Sequence, residues 1–147
     1  HKMKYMWTKI YTFEENTMMN KKLTLFALFL FAGTIALGAF GAHALKEIVI
    51  EKWQVAFDTA IKYQFYGALL LLIISFQPVF NKKRFSPWIT LFLIGLGFFS
   101  GSIYGLVLAE ITHVKVAFLG PLTPIGGLLM IISLVMLGIK YATNKSE

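Results

Sequence analysis

The chain contains no cysteine. That excludes disulfides, thiolate nucleophiles and Cys-ligated metal, and leaves the redox compartment open. Charge is scarce as well: 14% of the 147 residues are Asp, Glu, Lys or Arg, where soluble domains carry roughly a quarter. Acids are the scarcer sign, 7 against 14 basic residues, for a net charge of +7. None of these charges falls inside the four longest apolar stretches, so no intramembrane acid exists to relay protons, which weakens an ion-coupled transporter. His and carboxylates show no metal spacing within those stretches either. A basic excess in a soluble protein would suggest nucleic acid. Here the basic residues sit between long apolar runs, where they set topology and meet anionic headgroups, so membrane lipids are the expected partner and nucleic acid is not.

What the sequence has instead is apolar bulk: 57% of residues are hydrophobic and the mean hydropathy is +0.69. A helix needs roughly 20 apolar residues to cross about 30 Å of hydrocarbon. Four stretches qualify, 23–42, 63–80, 88–109 and 116–139. The expected fold is an all-α membrane protein with four transmembrane helices in an antiparallel bundle. Connections 81–87 and 110–115 are short enough for helical hairpins. Connection 43–62 is longer. In it Trp53, Ala56, Phe57, Ala60 and Ile61 recur at helical spacing opposite Glu51, Lys52, Asp58 and Lys62. Either an interfacial amphipathic helix links spans 1 and 2, or the second span begins early. Of the 14 basic residues, 10 lie on the side that holds both termini and 4 on the other (Lys46, Lys52, Lys62 and Lys115). The positive-inside rule then puts both termini in the cytoplasm.

Residues 1–18 begin without methionine and lack apolar periodicity, while Met19 opens a Met-Asn-Lys-Lys run into the first span. Residues 1–18 therefore read as an upstream or non-native extension, with an edge amphipathic element as the alternative, and residues 19–147 as one transmembrane domain. Ala42-His43-Ala44 resembles a signal-peptidase site, but the preceding apolar run of 20 residues exceeds the 7–15 or so of a signal sequence.

Small residues mark helix contacts in lipid. Gly97, Gly101 and Gly105 form a stripe in the third span, with Gly95 and Ser100 nearby; Gly33, Gly38, Ala39, Gly41 and Ala42 do so in the first. These faces, together with Gly126 and Gly127 in the fourth span, are expected to be buried against helices of the same chain or of a second copy. The fourth span opens with Gly120-Pro121-Leu122-Thr123-Pro124-Ile125-Gly126-Gly127, and a helix continuous through both prolines is not expected. Either regular helix starts near Pro124, or a break is buried in the bundle. Polar side chains concentrate in the outer half: His43, Tyr63, Gln64, Tyr66, Ser100, Ser102, Tyr104 and Thr123. They read either as a network tying helices together or as a shallow outer pocket with His43 its titratable member. His113, in a short loop, reads as solvated.

Four ordered motifs carry a resemblance: Gly38-Ala39-Phe40-Gly41-Ala42-His43, Tyr63-Gln64-Phe65-Tyr66, Phe99-Ser100-Gly101-Ser102-Ile103-Tyr104, and Leu119-Gly120 followed by Thr123-Pro124-Ile125-Gly126-Gly127. From Met19 to about Tyr141 the chain resembles the YgdD/YwdK-like family of small multi-pass bacterial inner-membrane proteins (uncharacterised protein family 0382, domain of unknown function 423). The resemblance implies about four helices and a cytoplasmic-membrane location, and supplies no activity and no cofactor. Family members carry a second histidine after the Tyr-Gln-x-Tyr segment where this chain has Gly67, which argues against a role needing two imidazoles. The Gly120-Pro121-Leu122 step reads as a small insertion or divergence before Thr-Pro-Ile-Gly-Gly. Two functions follow: a structural or accessory membrane component, or a small transporter or pore for a neutral or lipid-like solute using the outer polar cluster. An enzyme ranks below both, because no nucleophile, base and orienter can be assembled.

Overall fold

A computed structural model describes residues 20–144 together with Met3, Lys4, Met6 and Trp7. Apart from those four residues, the expected extension 1–18 lies outside the described residues. Among the described residues four helices are long and apolar enough to cross a membrane: α1 (Lys21–Ile48), α2 (Glu51–Ser75), α3 (Ser86–Thr112) and α4 (Leu119–Ala142). The shortest has 24 residues, about 36 Å of helix against about 30 Å of hydrocarbon. Their outward surfaces are apolar. Phe29, Ile35 and Ile131 are each more than 60% exposed, a pattern untenable in water and natural against lipid.

The helix ends follow local chemistry. Asn20 caps α1, its side chain accepting from the Leu23 N–H at 3.1 Å. Within α1 the segment Gly41–Leu45 widens into a π-helical turn before a last turn, Lys46–Ile48. The Gln54 amide then bonds the Val49 carbonyl at 2.9 Å and the Lys46 carbonyl at 3.2 Å, satisfying acceptors left at that end. Residues 51–62, expected as a separate amphipathic element or an early start of the second span, are the first half of one unbroken α2. That helix stops at Ser75 rather than Phe80, because Pro78 holds Gln77 extended and a 3-10 turn, Pro78–Asn81, follows. Helix α3 ends on His113 in the left-handed region (φ 56°), with Val114 N–H bonding Ala109 O and His113 N–H bonding Glu110 O; this is a Schellman closure on a non-glycine residue.

Helix α4 differs from expectation. It is regular from Leu119 through both prolines. Pro121 lies in the first turn, where an N–H has no intrahelical partner. Pro124 forfeits only the bond to the Gly120 carbonyl, one turn from the end, so its cost is small.

Helix α1 packs on α2, α2 on α3, and α3 on α4. The closest approach is between α3 and α4 at Gly95 and Gly126: a methyl on Gly95 would lie 2.8 Å from Gly126 O, and one on Gly126 would lie 2.6 Å from Gly95 O. Only glycine permits that backbone contact. Two apolar cores result. One centres on Leu71, Phe85, Phe92 and Leu96, the other on Leu45, Phe57, Ala60 and Val107. At the end where α1 begins, the Asn20 N–H bonds Ser75 O (3.0 Å) and the Thr24 hydroxyl bonds Ser75 Oγ (3.0 Å).

Candidate functional site

Polar side chains inside a span must find partners, since lipid offers none. Gln64 on α2 is 7% exposed and does so on both sides. Its amide nitrogen donates to Thr34 Oγ1 at 2.9 Å and to Leu30 O at 3.2 Å, both on α1. Its carbonyl accepts from the Tyr104 hydroxyl on α3 at 2.9 Å. A methyl at Gly33 would make only ordinary van der Waals contact with the Gln64 amide nitrogen, at 3.9 Å. The Tyr104 ring packs on Phe57, centroids 5.2 Å apart. Four residues before Tyr104, Ser100 donates to the Ala60 carbonyl of α2 at 3.0 Å. Ser102 donates to Phe99 O at 3.0 Å and lies 2.6 Å from Thr123 Oγ1. With the Ser102 proton on Phe99, Thr123 is the donor in that pair, and α3 is joined to α4.

Gln64, Ser100, Ser102, Tyr104 and Thr123 thus belong to one stitched layer across four helices. Three other expected members lie apart, the first being Tyr63, which is 43% exposed with its ring against Phe99, centroids 4.6 Å apart. His43 is exposed in the π-helical turn, beside a shallow hollow bounded by Ala42, Ala44, Lys46 and Glu47. Tyr66 is 60% exposed and meets Tyr63 and Phe65 edge-on, at 6.3 and 6.2 Å, on the outer face of α2.

The glycines divide too. Methyls on Gly41, Gly105 and Gly126 would press on Phe57, Leu119 and the α3 backbone, and one on Gly127 would sit 3.5 Å from the Phe99 ring. At Gly38, Gly97 and Gly101 a methyl would meet nothing within 4 Å. Within the chain these three hold no helix close. Gly97 and Gly101 instead line a cleft of about 200 Å³ between α1 and α3, walled by Phe26, Leu30 and Leu96 and floored by Gln64 and Tyr104.

Thr34 completes the layer and was not among the residues expected from sequence. Nor were Thr24 and Ser75, which pair across α1 and α2, or Ser133, whose hydroxyl donates to Trp88 O at 2.6 Å between α4 and α3. Thr24 and Thr34 are the only hydroxyls in the first apolar run, which was the available signal. Hydroxyls and one amide make up the layer. They carry no charge at neutral pH, and among the described residues every buried side-chain nitrogen or oxygen has a partner. Such an arrangement fixes helices relative to one another. Among the described residues no group of three or more His, Asp or Glu could hold a metal.

The family described as a protein of unknown function, DUF423, matches residues 37–127. A UPF0382 membrane protein of Haemophilus influenzae is 37% identical over 130 residues, covering 88% of this chain and 98% of its own. One from Schizosaccharomyces pombe is 38% identical over 99 residues, covering 67% of this chain and 82% of its own. The UPF0382 membrane protein YwdK of Bacillus subtilis is 34% identical over 114 residues, covering 73% and 87%. No solved structure matches.

Proposed function

Since the chain belongs to the DUF423 (UPF0382) family of membrane proteins, we propose that it is a structural or accessory component of a bacterial cytoplasmic membrane, without catalytic activity of its own. The observation that carries this reading is the stitched layer. The groups best able to meet a solute, Gln64, Ser100, Ser102, Tyr104 and Thr123, are bonded to neighbouring helices. A path for a polar solute needs such groups turned toward water.

The four helices are read as antiparallel. Asn20 bonds Ser75 O, so α1 begins where α2 ends. Arg84, between α2 and α3, bonds Lys140 O at 3.1 Å and Thr143 Oγ1 at 3.3 Å, so α4 ends there too. Of the ten basic residues between Asn20 and Asn144, that end carries six, which supports a cytoplasmic location for both termini. At the opposite end the first turns of α2, with Trp53 and Lys52 in cation–π contact at 5.1 Å, lie at headgroup level.

Paired measurements on Ser100→Ala test the structural role. Loss of the Ala60 bond lowers unfolding stability by about 0.6 kcal/mol. Vesicles containing the wild-type protein then pass glycerol no faster than empty vesicles. Unchanged stability together with altered solute flux would overturn the reading in favour of a transporter.

A further inference from the structure

Between Asn20 and Asn144, the end of the bundle where α1 begins carries six cations, Lys21, Lys22, Lys82, Lys83, Arg84 and Lys140, and no acid. Arg84 is engaged with the end of α4, where it also bonds Asn144 Oδ1 at 3.2 Å. That contact holds segment 82–84 beside Lys140.

Next to these residues a groove of about 450 Å³ runs between α2 and α4. Its walls are aliphatic, Leu70 and Ile73 on one side and Leu134 on the other, and Gly138 leaves it deep. A methyl on Gly138 would meet no heavy atom within 4 Å. The mouth is formed by Gln77 and by Phe80 stacked on Tyr141, centroids 5.8 Å apart and planes at 20°. Leu134 to Tyr141 spans about 10 Å of helix. Lys82 and Lys83 follow Phe80 after one residue, Asn81, and Lys140 adjoins Tyr141.

An apolar trough whose mouth gathers cations with no acid among them complements an amphiphile with a hydrocarbon tail and an anionic head. We propose that this groove binds one anionic phospholipid, with an acyl chain laid along Gly138 and the phosphate held by Lys82, Lys83 and Lys140. A zwitterionic lipid fills the trough equally well but brings its own cation to the lysines, so the preference comes from the mouth and the retention from the trough. The site rests on the spanning arrangement above for its orientation. Lipid retention measured in detergent is independent of how the chain is inserted, so the two ideas fail separately.

The test is native mass spectrometry of the full chain in detergent, titrated with dioleoyl phosphatidylglycerol or, separately, dioleoyl phosphatidylcholine. The wild type is expected to retain one phosphatidylglycerol about tenfold more tightly than phosphatidylcholine. The combined Lys82→Gln, Lys83→Gln and Lys140→Gln variant should bind the two lipids alike. Gly138→Leu, which projects into open space, should lose retention of both lipids with an unchanged melting temperature. If it melts early, Leu134→Phe on the same wall replaces it with the same expected loss. Equal affinity of the wild type for the two lipids overturns the proposal. So does unchanged phosphatidylglycerol retention in the groove-filling variant, which would mean charge adsorption only.

Discussion

Replacing Gln64 with leucine removes three hydrogen bonds while keeping most of the side chain's volume. The amide loses Thr34 and Leu30 on α1 and Tyr104 on α3. Thr34 stays satisfied, because its own hydroxyl donates to Leu30 O at 2.8 Å. Tyr104 does not, since Gln64 is the acceptor for its proton. Interhelical hydrogen bonds in membranes average about 0.6 kcal/mol each, so the three together come to about 2 kcal/mol. Leucine is better solvated by hydrocarbon than an amide and offsets part of this, leaving an expected loss of about 1–2 kcal/mol. Tyr104→Phe, which removes one of the three bonds, should cost about 0.6 kcal/mol. The double variant should fall short of the sum by about that amount, because the shared bond can be lost only once. Reversible unfolding in mixed micelles of rising dodecyl sulfate content, followed by far-UV circular dichroism, reads all four proteins. A Gln64→Leu protein as stable as the wild type, or strictly additive costs, would refute the idea that this layer ties α1, α2 and α3 together.

Gly126→Ala should destabilise by about 1–3 kcal/mol in the same assay, since its methyl is driven into the Phe99 and Gly95 backbone. Gly97→Ala and Gly101→Ala, which face the open cleft, should stay within about 0.5 kcal/mol of wild type. His113→Gly should stabilise by about 1 kcal/mol, because it relieves a left-handed residue at the end of α3 without disturbing the closure. Arg84→Ala should speed hydrogen exchange at the last turn of α4, where the guanidinium holds Lys140 O and Thr143.

Much of the architecture was legible because lipid imposes a length. An uncharged apolar run of about 20 residues has few other structures open to it. Relative position along each helix follows from the order of the residues. Rotation about the helix axis does not. His43 and Tyr66 are expected in one polar cluster, yet one is exposed in a π-helical turn and the other faces away from the bundle. Part of this could have been read: Gln64 and Tyr66 are two residues apart, roughly 200° around a helix, so both could not face one cluster. The π-helical turn at Gly41–Leu45 changes the phase of everything after it and has no signature in composition.

Spacing alone does not say which helix a glycine face meets. The run Gly97, Gly101 and Gly105 defines a face of α3, but the neighbour that approaches most closely is α4, and it meets α3 at Gly95. A periodic stripe names a surface and not its occupant. Thr34 was passed over because a lone threonine in an apolar run is satisfied by its own helix. Only the position of Gln64 on α2 turns it into a link. Pro124 reads in sequence as the start of regular helix or as a buried break, because its ring and missing donor exclude mid-helix positions, whereas it sits one turn inside a helix that starts at Leu119.

The absence of cysteine makes one measurement especially direct. Single substitutions Lys83→Cys, between α2 and α3, and Glu47→Cys and Val114→Cys, near the opposite ends of α1 and α3, can each be labelled in intact bacterial cells with a membrane-impermeant maleimide. Four crossings with both termini cytoplasmic predict labelling at positions 47 and 114, and protection at 83 until the cells are permeabilised. Labelling at 83 in intact cells with protection at 47 and 114, or equal labelling of all three, would contradict the four-helix spanning arrangement or its direction.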